Sequence, residues 1–481
     1  MALRLVWRAQ TSPSWGKTVS RSRRCYSTRN GSVCFTVDLG AETKDLPSLL
    51  HGIKQQIQVA NPNRHDAAVL LATPQFAKWL VDGPFMKDFV DFISGPDKSD
   101  QFHVLSAVVD HVAPPVPTNK PIQGLSILRG NLDSLLPNLW APAPPRAIED
   151  ADKVAALTIN FGNPHVTIPL ANTTFLNHKT STLIANRFDL SQGSPQLAET
   201  VEKQWQQVTP PLSEQLRSVK ELGIWAPLVP LTRPRVVTES FGNIVRRVDV
   251  DNESTPASNE LELVVDDLHK TKSYLVQATM GVWAMITPPS YSQAGINLSS
   301  SSDPDPAVTF EESHSATELV SSTSSNLQKL YGQGARMYQI LSGGGGWGAK
   351  KGLLSLDPQR THFALSEEEE MQRFIQAMDG GNFVPVGSKI QFFASTETPV
   401  KPKDGPFSGI VFGTAGTGQA GTVADESSQT GPIVLENQFG ALSNDGIFVT
   451  SSDAAAETTP GYNNDWRLNV PHSRIFVGQA N

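Results

Sequence analysis

The sequence predicts a mixed α/β fold: a layered sheet with flanking helices, in at least two domains or subdomains, with long irregular loops. Three observations lead there. Strand-like and helix-like apolar periods alternate over residues 32–128, which favours parallel pairing across helical crossovers. Short apolar runs between Gly, Pro and Asn recur from residue 154 onward, as strands between turns do. The chain of 481 residues exceeds one average domain, and 36 Gly with 35 Pro supply many turns.

Each element has its own justification. Residues 33–37 read as a strand. Leu46, Leu49, Leu50, Ile53 and Ile57 make one helical face, which Asn61-Pro62-Asn63 ends. Residues 67–72 are continuously apolar, as in a strand buried on both faces. Phe76, Leu80, Phe89 and Ile93 follow on an amphipathic stretch that Gly83-Pro84 splits. Residues 102–109 and 125–128 are further strands, and so are 154–161, 166–170 and 182–188. Leu197, Val201, Trp205 and Val208 fit a helix, as do Leu212, Leu216, Val219 and Leu222. Residues 226–234 form a Pro-rich extended connector, and Leu261, Val264, Val265 and Leu268 make another helical face. The uncharged run 275–287 is 13 residues long, too short for the roughly 20 that span a bilayer, and reads as a buried strand or short helix.

Residues 299–302 are serines followed by Asp-Pro-Asp-Pro, a composition that cannot bury a core. Beyond them Leu319, Thr323, Leu327, Leu330, Tyr331, Met337 and Leu341 trace one long helix. Ser366 with Glu369 forms a capping box for a helix carrying Met371, Phe374, Ile375 and Met378. Short strands fit 390–394, 410–412, 433–435 and 447–449. The resulting organisation is a leader over 1–26 and an N-terminal α/β domain over 31–230. A connecting segment over 231–289, a Ser/Pro-rich linker over 290–308 and a C-terminal α+β domain with Gly-rich loops over 309–481 follow.

The leader carries the plainest message. The first 37 residues hold no Asp or Glu but seven Lys and Arg, with Ser and Thr between. That is the composition of a mitochondrial transit peptide, and it lacks the apolar core of a secretory signal. The Arg24-Cys25-Tyr26-Ser27 run fits processing after Tyr26, with Arg24 two positions before the aromatic Tyr26 and the small Ser27 after the cut. Removal of 1–26 takes six basic residues and no acid, so the formal charge moves from -8 to -14. A surface that acidic disfavours nucleic acid as a partner. Cys34 is then the only thiol, which excludes a disulfide framework and any multi-thiolate metal site. The histidines show no metal-ligand spacing, so no metal and no cofactor is assigned.

Chemistry concentrates in Gly343, Gly344, Gly345, Gly346, Trp347, Gly348, Lys350 and Lys351. Bare amides let a phosphate or carboxylate approach, the lysines supply charge, and Trp347 can stack on a planar group. The other reading of the same loop is a helix cap and wide turn, with Trp347 on the core. Gly343, Gly345 and Gly348 match G-x-G-x-x-G, but a helix rather than a strand is expected before them, against a dinucleotide fingerprint. Gly416, Gly418 and Gly421 repeat the pattern after the 410–412 strand, with no amphipathic helix behind. Asp110-His111 stands at the end of the third strand, where α/β proteins often bind ligands. Asn172 to His178 with Thr180 to Thr182 is a dense polar cluster, either a small-ligand lining or hairpin turn chemistry.

The 46–60 helix, the strand 67–73 with Pro74-Gln75-Phe76, and the segments Val104-Leu105-Ser106-Ala107-Val108-Val109 and Gly124-Leu125-Ser126-Ile127-Leu128 resemble the N-terminal part of the FIST sensory domain family. The resemblance implies a domain that binds small ligands such as amino acids. The leader and the Ser/Pro-rich insertions resemble those of fungal mitochondrial proteins. Since no catalytic constellation emerges, the leading expectation is a soluble, non-enzymatic matrix protein that binds a small molecule or a mitochondrial protein partner as a sensor or accessory factor. The alternative is a matrix enzyme whose 343–352 loop holds a phosphate- or carboxylate-bearing substrate.

Overall fold

The computed structural model describes residues 34–39, 50–54, 65–95, 99–118, 122–142, 153–162, 164–211, 222–271, 281–289, 316–331, 334–343, 352–358, 363, 384–396, 399–402, 405–407, 409–416, 432–450 and 465–477. The 1–26 leader, the 290–308 linker, the Ser366–Glu369 capping box with its helix, and Leu46, Leu49, Ile57, Leu212, Leu216 and Val219 lie outside them.

The chain is mixed and strand-rich, with several sheets rather than one layer. The first sheet runs β11 (Gln196–Glu202), β10 (Leu183–Asp189), β3 (Gln101–Val108), β2 (Ala67–Ala72), β5 (Gly124–Gly130), β1 (Cys34–Asp38), β23 (Ile433–Glu436). The second runs β12 (Trp205–Val208), β6 (Ala156–Asn160), β7 (His165–Pro169), β25 (Ile447–Thr450), β26 (Asp465–Leu468). The third runs β13 (Gly223–Trp225), β27 (Arg474–Val477), β22 (Gly409–Thr414), β24 (Gln438–Ser443), β4 (His111–Val112). A small hairpin joins β8 (Asn172–Thr173) to β9 (Lys179–Ser181).

The fourth sheet is closed. β21 (Lys389–Ser395), β15 (Arg235–Phe241), β16 (Ile244–Val250), β20 (Leu354–Leu356), β19 (Arg336–Gly343) and β18 (Val282–Thr287) pair antiparallel in turn. β18 then pairs back to β21, so the ring is a small barrel. β14 (Leu228–Pro230) extends β21, and β17 (Glu253–Pro256) extends β16. Alternation divides β18, β19 and β21 between two cores. In β18, Ala284 and Ile286 face the barrel interior with Val237, Val245 and Phe392, while Trp283 and Met285 join the central core.

That central core draws on all four sheets. Leu71, Leu105, Leu157, Val166, Phe439 and Met337 meet in it. β2 is buried on both sides: Val69 and Leu71 face the central core, and Ala68 and Leu70 face a second core. The second core is covered by α1 (Gly83–Ser94) through Phe85, Phe89 and Ile93. Asp82 caps α1, accepting the Phe85 N–H at 3.1 Å, and Pro84 occupies its first turn. α2 (Ala257–Thr271) lays Leu261 against the barrel, with Val264 and Val265 beside it. α3 (Ala316–Tyr331) ends on Tyr331, whose ring stacks on Trp466 of β26 at 4.0 Å.

Three expectations are corrected. Residues 319–341 are not one helix: α3 stops at Tyr331, Gly334 turns the chain at φ +85°, and Met337 and Leu341 belong to β19. Leu197, Val201, Trp205 and Val208 lie on β11 and β12, not on a helix. Their spacing of four is two strand periods as much as one helical turn. Among the described strands, parallel pairing is confined to β2–β3, β6–β12 and β22–β24. Elsewhere strands that follow each other closely, such as β6–β7 and β15–β16, pair antiparallel, as short turns require.

Candidate functional site

The glycine run belongs to the barrel. Gly343 ends β19 and pairs with Leu354 of β20, so residues 344–353 connect an antiparallel hairpin. The expected preceding helix is therefore a strand, and a second strand follows where a dinucleotide site needs a helix. Gly344, Gly345, Gly346, Trp347, Gly348, Lys350 and Lys351 lie outside the described residues, as do Arg24, Tyr26 and Ser27. Gly352 closes the connection at φ +88°, where a Cβ would stand 2.7 Å from Pro256.

The polar cluster near 175 satisfies itself. Thr173 and Thr182 share a hydroxyl hydrogen bond of 2.9 Å, and the Asn177 amide donates to Thr182 at 2.8 Å. The Thr173 hydroxyl also donates to the Lys179 carbonyl at 2.9 Å. These bonds fold the β8–β9 hairpin, which is turn chemistry.

Asp110-His111 is different, because the fold brings distant residues to it. The third sheet places His111 opposite Leu442, Leu442 beside Gly413, and Gly413 opposite Arg474. One row thus crosses four strands at the carboxyl ends of the parallel pair β22 and β24. Gly413 leaves that row open: a Cβ there would lie 3.0 Å from Arg474 Cδ, so the arginine stem passes over β22. Arg474 is fully buried, and its Nη1 donates to the carbonyls of Thr414 at 2.7 Å and Ser473 at 2.8 Å.

Two histidines flank it. His472 sits in the turn before β27 at φ +63°. The chain crosses its ring at Gly416, where a Cβ would stand 2.2 Å from His472 Cε1, so glycine is needed. Gly418 and Gly421 lie outside the described residues. Burial, then the Arg474 charge, brings His472 down to about 4. Burial also lowers His111, with the Arg474 charge adding to the fall and a hydrogen bond that the ring donates to the Asn444 side chain opposing it. Both rings are thus neutral at pH 7. Asp110 accepts the Asn444 N–H at 2.8 Å, yet burial lifts its carboxyl to about 6.

Among the described residues, four nitrogens of this group have no partner. Arg474 Nε and Nη2, His111 Nδ1 and His472 Nδ1 are buried without a hydrogen bond. Native interiors leave few such atoms, and here four of them belong to three neighbouring residues. The carboxyl ends of parallel strands are where open sheets bind ligands. Among the described residues no group of three or more His, Cys, Asp or Glu is placed to hold a metal ion. Cys34 takes no part; it packs on the central core, and burial pushes its thiol to about 12. Sequence reading flagged Asp110 and His111 from the strand end. It missed Asn444, His472 and Arg474, because only strand register joins them.

The titrations oppose each other. Asp110 is raised from its unfolded 3.8 to about 6, so its stabilising contribution is complete below 3.8 and lost as pH rises through 6. His472 is depressed, so its contribution is present above 6.5 and lost as pH falls through about 4. Asp110→Asn keeps an acceptor for Asn444 and removes only the first effect. The variant should gain about 1–2 kcal/mol over the parent above pH 7 and nothing below pH 4, by urea unfolding at both pH values. Equal midpoints at pH 7.5 would show an ordinary carboxylate.

No protein-family model matches this chain, and no curated protein or solved structure matches it.

Proposed function

We propose that the chain is a mitochondrial matrix protein that binds a small ligand without transforming it, as a sensor or accessory factor. The observation that carries this is the set of four unpartnered buried nitrogens of Arg474, His111 and His472 at the ends of β22, β24 and β4. Buried polar atoms left open in this way suit a small molecule rather than the broad face of a protein partner. The acid-free leader supports the address. Among the described residues no helix is long and apolar enough to cross a membrane.

The test is the protein purified from mitochondria, with released small molecules and the mature N-terminus both read by mass spectrometry. One compound per chain is expected, and the N-terminus should begin at Ser27 or the residue after it. Adding that compound back at 100 times its dissociation constant should raise stability by about 2.7 kcal/mol. An empty protein whose melting no matrix metabolite shifts removes the ligand-binding reading. An intact Met1 on a cytosolic protein removes the address.

A further inference from the structure

The geometry points to an oxyanion, a carboxylate or phosphate group, as what Arg474 and His472 hold beside His111; this rests on the ligand site proposed above. The argument begins with the guanidinium, which has five N–H donors and no acceptor. Nη1 is spent on the Thr414 and Ser473 carbonyls, which fixes the plane of the group. The two nitrogens left over, Nε and Nη2, form one edge of that plane. That edge is the fork that meets two oxygens of a carboxylate or phosphate at once.

Among the described residues no protein group answers it. Arg474 makes no ion pair among the described residues, and burial alone lowers its basicity, to about 9. The acid at the site, Asp110, is engaged with the Asn444 N–H and feels the charge of Asp445. An unpaired buried charge is costly, and a bound anion is what removes the cost. His472 completes the set. Both rings are neutral at pH 7 and each has an idle Nδ1. In the tautomer with the proton on Nδ1, His472 adds a donor without adding charge. His111 donates its Nε2 proton to Asn444, so it borders the site without adding a donor to it. An idle guanidinium edge beside a neutral N–H donor describes an anion-binding inventory.

Inorganic phosphate and acetate are the probes, titrated into the full chain by calorimetry, with urea as the neutral control. One anion per chain is expected at constant ionic strength, and urea at the same millimolar concentrations should give no heat. Phosphate alone binding names a phosphate site; acetate alone names a carboxylate site. Arg474→Lys keeps charge but loses the fork, and should weaken binding at least tenfold. His472→Gln, which keeps a donor, should weaken it less than His472→Leu. If Arg474→Lys fails to fold, the imidazole C–H signals of His111 and His472 in the parent chain should shift on adding the anion. Neither anion binding, or Arg474→Lys binding as well as the parent, overturns the inference. A neutral compound released from the mitochondrial protein and dependent on Arg474 would leave the ligand-binding reading standing while the anion falls. No released compound and no anion binding would remove both.

Discussion

Gly440→Ala is expected to cost about 3–5 kcal/mol or to leave no soluble folded protein. Gly440 lies inside β24, and a Cβ there would stand 1.7 Å from the Val411 carbonyl oxygen and 2.6 Å from its carbon. Both are backbone atoms, so no rotamer relieves the collision. Only separation of β24 from β22 does, and that breaks a parallel ladder running from Gly409 opposite Gln438 to Thr414 opposite Ser443. It also pulls the Gly440 N–H from the Ser126 hydroxyl, a 3.1 Å bond between the first and third sheets. The control is Gly83→Ala, whose Cβ would meet nothing within 4 Å and which should stay within about 1 kcal/mol of the parent. Urea midpoints for the two variants make the comparison; equal midpoints would mean that the strands can part cheaply.

Trp466→Ala should cost about 3–5 kcal/mol. Trp466 is 2% exposed, and its ring lies on Tyr331 with planes 11° apart. Removing it empties the seat between β26 and the end of α3, leaving Tyr331 without its stacking partner. The neighbouring Tyr331→Phe change should behave in the opposite way. The Tyr331 hydroxyl is buried with no hydrogen bond, so losing it relieves a desolvated oxygen and should change stability by about 0 to +1 kcal/mol. Calorimetric melts of both variants decide this. A Trp466→Ala protein melting within a degree of the parent would mean the stack contributes little.

The elements that could be read in the sequence are those with one unambiguous period. Residues 67–72 are apolar without a break, and they form the doubly buried β2. Leu261, Val264 and Val265 share a face that α2 presents to the barrel. Failure came where one spacing serves two periods, as at Leu197, Val201 and Trp205, or where a glycine stop was overrun, as at Gly334. The barrel was not legible at all, because its closure depends on β18 pairing with β21 about a hundred residues later. The candidate site was half legible. Asp110 and His111 sit at a strand end, which is a local property. Arg474 and His472 carry no local sign, since their meaning depends on strand register and on the bareness of Gly413 and Gly416.

The placement of β23 bears on how the chain is made. Thr36 donates to the Gln438 carbonyl across 402 positions of sequence, and β1 lies between β5 and β23. A ribosome adding ~5–20 residues per second needs roughly 20–80 s to reach that partner. Throughout that time one edge of β1 has open N–H and C=O groups, a template for pairing with another chain. The third sheet waits as long, since β22, β24 and β27 are also made last. A chain stopped short of residue 433 therefore lacks interior walls rather than a tail.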